Sequence, residues 1–274
     1  MGENKLRIVI WCGKAPNQKA LANKIAKRFD LAGIVIDKGN PLRKKKNISK
    51  IIALLWDQFR FRRIYNAWKE LMAYYDKEFP GWPNTEKLEV SGINSEATAA
   101  FTKQLQPDLI VVSGTGLIKE PLLSTPASIG IINLHTGLSP FVKGGPNCTN
   151  WCIANNEWEL VGNTIMWLNA GIDAGNIITT ESIDIRNEAD LDSAHRRVME
   201  HAHDLYLRAI DYLAARNTPY HSVPQQKIDR GNLYLTKMWT PAKRSALLKN
   251  WAKRETGKPL RPVRTVSLEK GMDP

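Results

Sequence analysis

Ile129-Gly-Ile-Ile-Asn133-Leu-His135-Thr-Gly-Leu-Ser-Pro140-Phe-Val-Lys143-Gly144-Gly145 is the run on which the fold turns. Its apolar start, residues 129–132, reads as a buried strand. Residues two apart on a strand point to the same side, so Asn133 and His135 face one way where that strand ends. In α/β sheets, strand ends are where ligands bind. The Pro-, Gly- and Asn-rich residues 140–150 then read as a loop. Further on, Gly171-Ile172-Asp173-Ala-Gly175 places a carboxylate in a loop between runs 163–168 and 176–185, both of which read as strands. An amide, an imidazole and a carboxylate can together carry acyl transfer. Each also has a plain structural role open to it. Asn133 could cap a strand end, His135 could be a satisfied half-buried histidine, and Asp173 could be a turn residue.

Working outward, residues 6–11 are apolar and β-branched, residues 18–29 have helical spacing, and residues 32–36 are apolar again. This strand–helix–strand opening suits a doubly wound sheet. The first strand is not followed by Gly-x-Gly-x-x-Gly, so the dinucleotide fingerprint is missing. A helix over 95–105 and a core strand over 107–113 lead into the turn Gly114-Thr-Gly116-Leu117-Ile118. Residues 190–216 predict a long amphipathic helix with Asp190 as its cap. His195, His201 and His203 lie on that helix, away from any loop or strand end, and read as structural.

Two regions are strongly basic. Arg43, Lys44, Lys45 and Lys46 precede Ile51, Ile52, Leu54, Leu55 and Phe59 at helical spacing, followed by Arg60, Arg62 and Arg63. This helical insertion, about residues 41–80, reads first as a solvated amphipathic element; its sharper reading is a site for acceptor phosphates or a membrane surface. After residue 216, Thr240-Pro241 marks a helix start, and residues 242–264 hold eight Lys or Arg against Glu255 alone. The last residues, with Pro259, Pro262 and Pro274, read as a disordered end.

The net charge of +12 favours anionic partners: nucleotide-linked substrates, folate polyglutamate, tRNA or anionic membrane. Cys12, Cys148 and Cys152 are an odd, sparse set, expected as buried thiols in a reducing cytoplasm. Cys148 and Cys152 could share a helix face, but no further ligands accompany them, so no metal is expected. No apolar run approaches the roughly 20 residues that span a bilayer, and the start of the chain leads directly into a strand without a secretory pattern.

Taken together, Asn133-x-His135, Pro140, Lys143-Gly144, Trp151, Gly162-x-Thr164 and Asp173-x-Gly175 resemble the formyltransferases that use 10-formyltetrahydrofolate. That family includes the glycinamide ribonucleotide, methionyl-tRNA and amino-sugar N-formyltransferases. The resemblance is good over roughly residues 88–215 and weak at the ends. It implies an α/β fold with a Rossmann-like doubly wound catalytic domain over 1–216 and a small C-terminal α+β extension over 217–274. It further implies Asn133, His135 and Asp173 as the catalytic trio; Gly116, Leu117, Ile118, Gly171 and Ile172 around the pterin; and Lys143 and Gly144 near the acceptor.

The co-substrate so implied is 10-formyltetrahydrofolate, without a metal. The acceptor we expect is the primary amine of a nucleotide-linked amino sugar, which would place the protein in cytoplasmic polysaccharide biosynthesis. A homodimer and a peripheral membrane contact are compatible with this, and nucleic acid is the less favoured partner. Residues 225–231 and Tyr234 resemble the tail of sugar formyltransferases, and the extension is shorter than the extra barrel of tRNA formyltransferases. The alternatives are a methionyl-tRNA formyltransferase, a formyltetrahydrofolate hydrolase, or a basic binding protein without catalysis. Val142 stands where the family often has an aromatic, Met166 stands for a common histidine, and the loop after Gly144 is one residue out of step. These departures bear on the acceptor rather than on the reaction.

Overall fold

The computed structural model describes residues 6–39, 48–145, 147–215, 220–268 and 271–272. The basic run Arg43 to Lys46 lies outside the described residues. The described elements are β1 (Arg7–Gly13), α1 (Pro16–Ala26), β2 (Asp30–Asp37), α2 (Ile48–Arg60), α3 (Arg62–Glu78), β3 (Glu86–Val90), α4 (Glu96–Leu105), β4 (Leu109–Ser113) and β5 (Gly130–His135). They continue with β6 (Val142–Gly144), α5 (Cys148–Asn155), β7 (Gly162–Trp167), β8 (Ile177–Ser182), α6 (Leu191–Ala215), β9 (Asn232–Tyr234), α7 (Pro241–Ala252), β10 (Val266–Ser267) and β11 (Gly271–Met272).

Nine strands form one sheet in the order β11-β10-β8-β7-β5-β4-β1-β2-β3. From β3 to β5 neighbouring strands are parallel; β7, β8 and β10 continue the sheet antiparallel. The central strands are apolar at nearly every position because both faces are covered. Ile8, Ile10 and Cys12 of β1 join the core under α1, α3 and α6, while Val9 and Trp11 join the core under α4. The same alternation holds in β4, with Leu109 and Val111 on one side and Ile110 and Val112 on the other. This is the period-two pleat read directly from burial.

Helix ends follow from local chemistry. The Ser95 hydroxyl accepts from the Thr98 N–H at 3.2 Å. Asp190 accepts from the Ser193 N–H at 2.9 Å, and the Ser193 hydroxyl accepts from the Asp190 N–H at 3.2 Å, a reciprocal cap. Thr240 caps α7 with Pro241 in the first turn. The expected insertion helix is two helices, α2 and α3, broken at Phe61, whose ring is buried.

Residues beyond 220 return to the body of the fold. β9 pairs in parallel with β6, Asn250 of α7 donates to the Ile153 carbonyl at 2.9 Å, and Val266 pairs with Thr180 of β8. Where the sequence suggests a disordered end, Val266–Ser267 is a sheet strand. Val266 is fully buried, and its carbonyl accepts from the Thr179 hydroxyl at 2.9 Å.

Candidate active site

Strand β1 pairs with β2 on one side and β4 on the other, so the chain reverses its direction of progress between β1 and β4. A cavity of about 620 Å³ opens beside that reversal, at the carboxyl ends of β4 and β5. This is where a doubly wound sheet leaves room for a ligand. Its lining includes Gly116, Leu117, Ile118, Asn133, His135, Gly144, Gly171, Ile172 and Asp173. The groups set apart in the sequence therefore meet. Lys143 is the exception: it lies beside the lining, and its Nζ donates to the Arg230 carbonyl at 3.0 Å.

The register of β5 sets the first two side chains. Asn133 is opposite Met166 and His135 is opposite Thr164 on β7. His135 is buried, with Nδ1 3.3 Å from Asp173 Oδ2 and Nε2 2.9 Å from the Val142 carbonyl oxygen. A carbonyl can only accept, and a carboxylate accepts as well. Both ring nitrogens therefore face acceptors, which favours the doubly protonated imidazolium. Burial opposes that charge, but Cys148, with its Sγ 3.6 Å from Nε2, the Asp173 carboxylate and the Val142 carbonyl outweigh it. The His135 pKa is pushed up to about 10. The Asn133 amide, half-buried on the lining, has no hydrogen-bond partner among the described residues and keeps its donors for a ligand.

Asp173 is held on three sides. Its Oδ2 accepts from the Gly144 N–H at 2.9 Å as well as facing His135. Gln225, buried, donates through Nε2 to the Asp173 carbonyl at 2.7 Å and to the Gly175 carbonyl at 2.9 Å. Asp173 itself sits at φ 45°, an uncommon conformation for a residue with a side chain. Gly144 has φ 84°, and a Cβ there would overlap the Tyr234 carbonyl. The Gly144–Tyr234 approach is the pairing of β6 with β9. Thr164 ties the loop after His135, donating to the Gly137 carbonyl at 2.7 Å and accepting from the Ser139 N–H at 2.9 Å. Asn94 clamps the other wall, donating to the Leu117 carbonyl at 2.8 Å and accepting from the Lys119 N–H at 2.7 Å.

Several lining groups escape sequence reasoning. Trp68 arrives from α3, and Tyr234, Leu235 and Thr236 arrive from beyond residue 216. Tyr234 stacks on Trp151 at 4.6 Å between ring centroids. The tail resemblance around Gln225 and Tyr234 points to the segment beyond residue 216 but not to Trp68. His195 and His203 are buried helix residues held below the ordinary histidine range by burial, and neither lines the cavity. Cys12, Cys148 and Cys152 are free thiols, all buried. Among the described residues no group of His, Cys, Asp and Glu could hold a metal ion.

The formyl transferase family model matches residues 9–210. A methionyl-tRNA formyltransferase from Syntrophus aciditrophicus is 33% identical over 132 residues, which is 48% of this chain and 42% of that protein. The chain thus spans under half the length of the curated relatives it matches. Among solved structures, an N-formyltransferase from Helicobacter canadensis, in complex with folinic acid and dTDP-3-aminofucose, has TM-score 0.56 at 15% identity, over 90% of this chain and 80% of that one. A sugar N-formyltransferase from a Shewanella species has TM-score 0.54 at 18% identity, over 89% and 87% of the two chains. These structures share the fold. With a family model matched over residues 9–210, from β1 through most of α6, the chain belongs to the formyl transferase family.

Proposed function

We propose that this protein moves a formyl group from 10-formyltetrahydrofolate to the primary amine of a nucleotide-linked amino sugar. The observation that carries the transfer is the convergence on one cavity of a free Asn133 amide, a charged His135 and a fixed Asp173. In this reading the folate supplies the formyl group. The loop at Gly116 to Ile118 receives the pterin through its backbone, and Leu117 and Ile172, each nearly half exposed, supply apolar surface beside it.

Asn133 donates to the formyl oxygen as negative charge develops there, and the His135 imidazolium lies next to that charge. A donor of this kind is worth about 2.7–4 kcal/mol in acyl transfer. As the amine nitrogen bonds to the formyl carbon, the Asp173 carboxylate holds the imidazolium and accepts, directly or through water, the proton that the amine gives up; the bond from the formyl carbon to the folate nitrogen then breaks and that nitrogen takes up a proton. The family match and the folate complex of the Helicobacter canadensis neighbour support the co-substrate. For the acceptor, support comes from the wall built by Tyr234, Leu235 and Thr236, from a neighbour named as a sugar N-formyltransferase and from the N-formyltransferase in complex with dTDP-3-aminofucose.

A methionyl-tRNA acceptor is the second reading, favoured by the curated relatives and by the net charge of +12. The deciding assay incubates the protein with 10-formyltetrahydrofolate and a panel of nucleotide-linked amino sugars, with charged methionyl-tRNA alongside, and reads products by mass spectrometry. A gain of one formyl group on a sugar nucleotide supports the first reading. Formylation of the tRNA alone would replace it with the second. Failure to bind folate at all would remove both.

A further inference from the structure

Helix α2 turns one polar side chain, Asp57, toward the protein, and its other described side chains are exposed. Ile51, Ile52, Leu55, Trp56 and Phe59 recur at three- and four-residue spacing and so form one stripe. Every one of them is exposed, Trp56 by 64% and Phe59 by 62%. Ile52, Leu55, Trp56 and Phe59 together line a shallow apolar groove open to solvent. The helix is anchored from its other side. Asp57 Oδ1 accepts from Arg244 Nη2 of α7 at 2.8 Å, and Asp57 Oδ2 accepts from the Tyr65 hydroxyl at 2.6 Å. The Asp57 and Arg244 side chains are mostly buried, so this attachment points the apolar stripe away from the protein.

Three cations follow the stripe along the chain. Arg60, Arg62 and Arg63 are exposed, and among the described residues none of them pairs with a carboxylate. The Arg62 guanidinium lies 5.8 Å from the centroid of the Phe59 ring, at the edge of the apolar surface. An exposed apolar stripe edged by arginines matches the acyl boundary and the headgroups of an anionic bilayer in that order. A second copy of the same face would bring two cationic borders together, which is unfavourable. No described helix is long and apolar enough to cross a membrane, so the contact is with the surface.

We infer that α2 docks this protein on anionic membrane surfaces, with Ile52, Leu55, Trp56 and Phe59 entering the interface and Arg60, Arg62 and Arg63 meeting lipid phosphates. Helix α3, which follows α2 after Phe61 alone, sends Trp68 to the lining of the cavity, so the docking element and the active-site wall belong to one helix pair.

The test is flotation of the full chain with vesicles of equal parts phosphatidylglycerol and phosphatidylcholine, compared with phosphatidylcholine alone. The expected result is binding to the mixed vesicles that weakens with salt. Leu55→Glu with Phe59→Glu should lower that binding at least tenfold with an unchanged melting curve, because both side chains are exposed. Arg60→Gln, Arg62→Gln and Arg63→Gln together should lower it on the order of a hundredfold and remove the preference for phosphatidylglycerol. No binding by the unaltered chain, or binding by both sets of variants equal to that of the unaltered chain, would overturn the inference. A dimer in solution that Leu55→Glu with Phe59→Glu converts to monomers, without vesicle binding, would overturn it in favour of self-association.

Discussion

The cavity and helix α2 invert the usual distribution of polarity in opposite ways. In the cavity, a charged histidine is buried, and it is tolerated because every polar face of its ring meets an acceptor. On α2, large apolar side chains stand in solvent while an aspartate faces inward, and that aspartate too has its partner in Arg244. A buried, partnered charge marks chemistry at His135, where it lines a cavity, and anchorage at Arg244, whereas an exposed apolar stripe marks a surface that awaits something. Neither arrangement is favourable in isolation, and both are held by a specific long-range polar contact.

The largest expected effect breaks the cavity side of this comparison. Asn133→Ala and His135→Ala should each lower kcat for formyl transfer by about 10²–10³-fold, with retained cooperative melting. Comparable loss of folding would instead make the pair structural. Next, Gly144→Ala should destabilise the protein by about 1–3 kcal/mol in thermal or denaturant unfolding, since the backbone there is at φ 84° and the added Cβ would meet the Tyr234 carbonyl. An unaffected midpoint would mean that β6 and β9 separate without cost.

Asp57→Asn sharpens the comparison from the other side. It leaves Arg244, which is largely buried, without its ion pair and should cost about 1–3 kcal/mol, whereas Leu55→Glu on the outer face should change stability by less than about 0.5 kcal/mol. If Leu55→Glu cost more than Asp57→Asn, the inside-out mounting of α2 would be wrong.

A pH measurement tests the buried charge itself. The folded His135 pKa, about 10, lies above the ordinary value of about 6.5. The charged form is thus favoured by folding. Its contribution to stability is complete below about 6.5 and is lost as the pH rises through about 10. The stability gap between the unaltered protein and His135→Gln should narrow over that interval. In Cys148→Ala the His135 titration, followed by NMR, should move to lower pH, because Cys148 is first among the neighbours that raise it.

Much of the site was legible because its signals are local. Asn133 and His135 share a face through the two-residue strand period, and Asp173 stands in a glycine-bounded turn. For Lys143 the position in the loop was readable, but the Arg230 carbonyl that takes its ammonium lies 87 residues on. Gln225, which fixes the Asp173 loop, lies 52 residues away and carried no chemical pattern of its own. Trp68 and Tyr234 likewise reach the cavity only through helix packing and the pairing of β6 with β9.

The sequence by itself determined the alternation of buried strands and helices, the orientation of the Asn133 and His135 pair, and the existence of an apolar stripe at residues 51–59. Those are properties of neighbours along the chain, set by the periods of strand and helix. Only the tertiary structure decided that His135 has an acceptor at each ring nitrogen, that the chain beyond 220 walls the cavity, and which way the stripe faces. The last depends on one ion pair between residues 187 apart in the chain. A helical period defines two faces but does not say which is inside; that is settled by where the partner of Asp57 stands once the sheet has formed.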